Sequence, residues 1–377
     1  WLQLDENEHS PNSSSTYASV ESKVGKRVSE NDLENIDRRT MYAGHGVQIE
    51  AVKDASGKSL PFIIHETMMR VNLPKPLKPG EKVKFFVQWN YKIPDRMKIG
   101  GRGGFEFFPE DGNHLFTMTQ WFPRMCVYSD FQGWQHKQFT GRAEFALPFG
   151  NYKVKLTVPS DHIIAATGQC QNYKDLLTPA QFERWKKAQN ANEVTEIVLK
   201  DEAMQAEKTK STSTKTWVYQ ADNVRDFAWG SSRKFIWDAM PAYVEGHKVM
   251  CMSYYAKEAY SLWRRYSTKT VAHTVQTYSK YTIPYPYPVA ISVEASNGME
   301  YPMICFNFGR TEKDGTYSEG SKNGMLGVII HEVGHNFFPM IINSDERQWT
   351  WMDEGINTFV QYLTQEEFDL NFPSGRG

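Results

Sequence analysis

The chain holds 377 residues, with 43 basic against 44 acidic side chains and a formal net charge of −1. So even a balance supplies no basic field for nucleic acid or an anionic membrane surface, and neither partner is expected. The length suggests two or three domains at roughly 100–200 residues each, while apolar runs such as Met325–Ile330 fall far short of the roughly 18–20 residues that cross a bilayer, so no transmembrane helix is expected.

The first stretch, to about Thr40, is polar, with a serine run at Ser13–Ser15 and scattered charges, and is expected to form mobile loops with few regular elements. Trp1 is followed by no charged-then-apolar leader, so a signal peptide is expected to be already removed or outside this stretch. From Val47 to about Gln220 the chain breaks into short β-rich runs: Val47–Val52, Leu60–His65, Met68–Leu73, Lys82–Trp89, His114–Trp121, Tyr152–Val158, Ile163–Thr167, Val194–Leu199 and Thr216–Gln220. Gly, Pro, Asn and Asp separate most of them, which reads as a large antiparallel β domain. One helical insertion is predicted at Pro179–Asn190, where Thr178 can cap the helix and Phe182, Trp185 and Ala188 recur at helical spacing. No internal repeat is evident.

After about Phe227 the texture changes, with helical patterns at Ala259–Tyr281, Met325–Met340 and Asp353–Asp369 and a strand-like segment at Val289–Glu294. This part reads as an α+β domain, so the expected division is 1–228 and 229–377. Proline cannot continue a helix, and the Pro-rich Ile283–Pro288 stretch marks a turn into the strand. Cys126, Cys170, Cys251 and Cys305 lie far apart without C-x-x-C spacing, which argues for buried free thiols over a cysteine zinc cluster or a disulfide scaffold.

The sharpest chemical signal is His331-Glu332-Val333-Gly334-His335 in an apolar helical run. Residues four apart share a helical face, so both imidazoles can reach one metal with Glu332 beside them. With 10 histidines in the chain, such a motif arises by chance roughly 0.02 times, which weighs against two unrelated core histidines. A zinc hydrolase needs a third ligand and an open fourth position. Glu354, after eighteen intervening residues in Trp351-Met352-Asp353-Glu354-Gly355, is the candidate. A glutamate in a helix's first turn is also a common partner of the macrodipole, and Asp353 is the nearest rival ligand.

With these residues the chain resembles the gluzincin metallopeptidases of the aminopeptidase N type, to which leukotriene A hydrolase also belongs. Those proteins carry H-E-x-x-H, eighteen residues, Glu in a W-x-x-E-G context, and a G-x-M-E-N strand upstream. Here the strand reads Gly298-Met299-Glu300-Tyr301, with Tyr301 for the asparagine and one residue fewer after Gly298; this is similar to bacterial relatives carrying G-M-E-Y-P. The resemblance implies a saddle-shaped N-terminal antiparallel β domain followed by a thermolysin-like zinc peptidase domain. It implies one Zn²⁺ on His331, His335 and Glu354, with Glu332 as general base. Glu300 and Gly298 would bind substrate, as would Gln120 in Thr119-Gln120-Trp121-Phe122-Pro123, whose bland alternative is a hydrogen-bonded strand residue.

The activity so implied is a zinc aminopeptidase acting on peptides with a free N-terminus. The alternatives are a zinc endopeptidase and a zinc-binding scaffold with impaired catalysis. The family's oxyanion-stabilising tyrosine lies farther beyond the third ligand than Gly377, so the sequence reads as the front portion of a longer enzyme; Tyr301 and Tyr362 are taken as structural. His247 and His273 lack partner spacing and read as structural or exposed, and aromatic clusters such as Tyr285–Tyr287 as core. The branch resemblance points to an exported, periplasmic or secreted, bacterial protein; no oligomeric state follows from the sequence.

Overall fold

In the computed structural model, which describes residues 1–11, 13, 30–141, 143 and 146–374, alternation of side chains builds the first part of the chain. Along Phe85–Asn90 every second residue is half-buried, and this strand pairs antiparallel with Gln48–Asp54. Apolar faces of this kind must be covered. They close over a core of Leu2, Leu4, Val47, Val52, Leu60 and Met69. A second antiparallel sheet runs in the order Phe62–His65, Met68–Val71, Leu2–Gln3, Arg124–Met125.

Contacts divide the chain into two units: Trp1–Glu106 with Met118–Pro148 and Asp345–Gln348, and Phe107–Thr117 with Phe149–Ser344 and Trp349–Gly377. The boundary expected between residues 228 and 229 falls within the second. Each of the nine predicted β runs overlaps a strand, and the predicted insertion is the helix Pro179–Ala188, with Thr178 and Gln181 forming a reciprocal cap. The described residues among the first forty are more regular than expected: Asp5–His9 is a 3₁₀ turn and Glu30–Thr40 an α-helix. Ser14 and Ser15, within the stretch expected to be mobile, lie outside the described residues.

The second unit is organised on a six-stranded mixed sheet. Its strands are β1 (Thr195–Val198), β2 (Ile236–Val244), β3 (His247–Tyr255), β4 (Val289–Glu294), β5 (Met299–Tyr301) and β6 (Ile304–Asn307), in the order β1-β2-β3-β4-β6-β5. β3, β4 and β6 are parallel, and β5 returns antiparallel as the edge. β2 and β3 escaped the sequence reading because both faces are covered: most of their residues are buried, so no period of two survives. Among the helices on this framework, α1 (Tyr260–Tyr281) packs on β2 to β4, α2 (Glu319–Gly334) on β4 to β6, and α3 (Trp351–Phe368) against α1 and α2.

The second helix is shifted from its predicted span, Met325–Met340. It starts earlier because the Ser318 hydroxyl accepts the Ser321 amide at 3.0 Å. It stops earlier because Phe338, ahead of Pro339, lies at φ −135° and ψ 108°. The four cysteines are free thiols; Cys126, Cys251 and Cys305 are buried as expected, and Cys170 is only partly so. No helix among the described residues is long and apolar enough to cross a membrane.

Candidate metal centre

The last turn of α2 and the first turn of α3 bring three ligand atoms together. His331 Nε2 and His335 Nε2 lie 3.0 Å apart, and Glu354 Oε2 stands 3.2 Å from the first and 3.7 Å from the second. Tetrahedral zinc with bonds of about 2.0–2.1 Å sets its ligand atoms roughly 3.3 Å apart. The three observed separations bracket that value.

Hydrogen bonds behind the rings fix which nitrogen faces inward. His335 Nδ1 lies 2.8 Å from the Phe338 carbonyl oxygen, which can only accept, so Nδ1 carries the proton and Nε2 a lone pair. His331 Nδ1 faces Gln361 Oε1 at 2.9 Å, and the orientation of that amide is set by Gln361 Nε2, which donates to the Gly327 carbonyl at 3.2 Å. His331 Nε2 therefore also presents a lone pair. With both rings neutral, two lone pairs and a carboxylate oxygen converge with no donor between them. Donors of this kind in this arrangement suit a zinc ion, and the partners behind the rings are those that orient metal-bound histidines.

Asp353, the rival ligand, lies on the other side of His335, with Oδ1 3.0 Å from Nδ1. It can orient the ring but does not join the three converging atoms. Glu354 occupies the first turn of α3 and is half-exposed, which leaves one side of the cluster open to solvent. When His331 is protonated, its Nε2–H donates to Glu354 and holds that carboxyl below the ordinary value. Burial opposes charging of His331 and His335. The hydrogen bond to Glu354 outweighs it at His331, and Glu300 and Asp353 outweigh it at His335, so both rings are raised above the usual imidazole range.

Glu332 and Glu300 form the inner wall. Oxygens of both and a nitrogen of His335 lie within 4.8 Å of one another, and both carboxylates are buried, at 6% and 7% exposure. Burial raises the Glu332 carboxyl against the pull of the two imidazoles, and its Oε2 has no hydrogen-bond partner among the described residues. Gly298 explains itself by space: a Cβ there would stand 2.5 Å from Glu332 Oε1 and 3.0 Å from Val328 Cγ2. Gly334, inside the motif, is the close-approach point of the three helices. Its Cβ would meet Tyr278 Oη at 2.2 Å and Asn357 Oδ1 at 2.4 Å.

Gln120 belongs to the first unit. It is neither in a strand nor hydrogen-bonded: it sits at φ 54°, 1% exposed, and neither amide atom finds a partner among the described residues. The bland reading of Gln120 as a bonded strand residue is therefore set aside. His273 is structural, its Nε2 3.1 Å from the Thr364 carbonyl oxygen, and His247 is exposed.

Sequence reasoning missed Asn357 and Gln361. Asn357 accepts from Tyr278 Oη at 2.8 Å and donates to the His331 carbonyl at 3.1 Å. The available signal was spacing: Glu354, Asn357 and Gln361 fall at i, i+3 and i+7 on one face of α3.

No family model matches the chain. Among curated proteins, Aminopeptidase M1-A of Oryza sativa subsp. japonica is 25% identical over 121 residues, covering 30% of this chain and 14% of that protein. Aminopeptidase M1 of Arabidopsis thaliana is 28% identical over 102 residues, covering 25% and 12%. Among solved structures, an M1 zinc metallopeptidase from Deinococcus radiodurans superposes with a TM-score of 0.53 at 15% identity, over 85% of this chain and 61% of that one. A mutant two-domain M1 zinc metallopeptidase bound to L-arginine gives 0.52 at 15% identity, over 86% and 62%. The chain thus spans about three-fifths of these solved neighbours and a small part of the curated relatives. The likeness read from the motifs, to aminopeptidase N-like M1 metallopeptidases, is the one that both comparisons return.

Proposed function

We propose that the chain carries the zinc-binding and catalytic core of an aminopeptidase that removes the N-terminal residue from peptides. The observation that supports this reading above all is the convergence of His331, His335 and Glu354 on one point, with two buried carboxylates beside it. One zinc ion held there would lower the pKa of a water in its open position towards neutrality and polarise a substrate carbonyl. Glu332, buried beside both imidazoles, would accept the proton of the attacking water and return it to the leaving amine. Glu300 faces the free α-ammonium of the substrate. An internal peptide bond offers no such charge, which would leave the buried carboxylate without its partner, so the preference is for chain ends. Gly298 keeps clear the space that Glu332 occupies.

In the zinc-loaded protein, Glu332→Gln should keep the metal and lose turnover by roughly 10²–10⁴-fold, the usual contribution of an acid–base group. Glu300→Ala should keep the metal and lose about 10–100-fold in kcat/KM on free aminoacyl substrates, with little change on N-acetylated ones. Equal cleavage of free and blocked peptides by the unaltered protein would replace this reading with an endopeptidase.

A further inference from the structure

Asn336 directly follows the second histidine and has no part in the chemistry above. Its side chain is 1% exposed. Oδ1 accepts the Met303 amide at 2.6 Å and Nδ2 donates to the Val333 carbonyl at 3.2 Å, while Tyr285 Oη stands 3.3 Å from the same Oδ1. The amide therefore ties the end of α2 to the turn between β5 and β6.

That turn needs a hold. Tyr301 pairs with Ile304, so Pro302 and Met303 alone make the connection. Proline followed by a residue of positive φ is the pattern of a type II turn, whose second position favours glycine. Met303 occupies it at φ 65°, a conformation that a residue with a Cβ adopts only when its surroundings impose it. Both of its backbone groups are engaged, the N–H by Asn336 and the carbonyl by the Ile291 amide at 2.9 Å. β5 itself is three residues long and paired on one side only.

We infer that Asn336 is a positioning residue, which clamps the β5–β6 turn to the end of α2 and so holds Glu300, at the centre of β5, opposite Glu332 and His335. The effect on recognition rests on the aminopeptidase reading; the clamp does not. Because Glu300 must meet a substrate ammonium at hydrogen-bond distance, a shift of the strand by an ångström is enough to weaken recognition while leaving the metal ligands, on α2 and α3, where they are.

The test uses the full zinc-loaded chain. Hydrogen exchange of Asn336→Ala should show the Met303 and β5–β6 amides exchanging at least about tenfold faster, with the interior of α2 protected as before. On free aminoacyl substrates kcat/KM should fall about 10–100-fold, mainly through KM, with zinc stoichiometry unchanged and the preference over N-acetylated substrates narrowed. Asn336→Asp, which keeps the acceptor for the Met303 amide, should keep that amide protected, whereas a general loss of packing at this site would expose it in both variants alike. Unchanged exchange at Met303, or an unchanged KM beside measurable activity, overturns the proposal. If Asn336→Ala does not fold, loss of protection at Met303 in Asn336→Asp also overturns it. If the unaltered protein cleaves no aminoacyl substrate, the functional reading falls and the exchange measurement still decides the clamp.

Discussion

Lys234 and His335 are both buried in the second unit among carboxylates, yet the chain completes one cluster and leaves the other open. The Lys234 ammonium has three N–H donors, and each has an acceptor: Asp111, Glu207 at 3.0 Å and Glu258 at 3.0 Å. Lys257 adds a second cation against Asp111, at 2.7 Å, and against Glu207. At the metal centre the inward-facing atoms are all acceptors, two imidazole nitrogens and a carboxylate oxygen. Acceptors converging in this way repel one another until a cation, a proton or a metal ion, enters between them. The contrast separates charge arranged to hold the fold from charge arranged to receive something.

The largest expected effect is at the open cluster. His335→Ala or Glu354→Ala should remove stoichiometric zinc from the dialysed protein. Gln361→Ala, which releases the back of the His331 ring, should weaken zinc about 10–100-fold, the range for partners that orient a ligand. Metal analysis and competition with a chelator measure both. Zinc retained at one per chain in Glu354→Ala would show that the third ligand is another residue.

The closed cluster should respond to loss of its own cation and to no metal. Lys234→Met leaves Asp111, Glu207 and Glu258 with the Lys257 ammonium alone and should destabilise the fold by about 1–3 kcal/mol in urea denaturation, while zinc stoichiometry stays at that of the unaltered chain. If this variant loses zinc as readily as His335→Ala does, the two clusters are not independent and the contrast fails.

How much of this was legible in the sequence differs between the same two places. The metal centre could be read because its chemistry is local: His331 and His335 are one turn apart on α2, and Glu354 opens the next long helix, so spacing alone assembles the set. The Lys234 cluster joins Asp111, Glu207, Lys234 and Glu258, residues with no common period, and only the folded chain brings them together. The fold divides likewise. Half-buried strands such as Phe85–Asn90 keep their alternation, whereas β2 and β3, covered on both faces, lose it. Asn336 and Asn357 were overlooked for a related reason. A buried amide that braces backbone leaves no pattern in the sequence until its partners, Met303 and His331, are known to be near.

The smallest effect sharpens the contrast through pH. Burial pushes the Asp111 carboxyl up, but the hydrogen bonds from Lys234 and Lys257 more than reverse this and hold it down, from an ordinary 3.8 to about 2. An acid whose folded value lies below its unfolded one stabilises the fold fully while both states are ionised, and loses that stabilisation as the unfolded chain takes up the proton first. The contribution is therefore complete above about pH 4 and fades as the pH falls towards 2. Asp111 is only partly shielded from solvent, so the amount is modest, about 1 kcal/mol or less, as for ion pairs still in contact with water. Urea denaturation of the unaltered chain and of Asp111→Asn, at steps between pH 5 and the lowest pH at which both fold, should show the two converging as the solution becomes more acidic. A difference that stays constant across that range would mean that Asp111 contributes through packing and hydrogen bonding alone, and that the closed cluster is not held by charge.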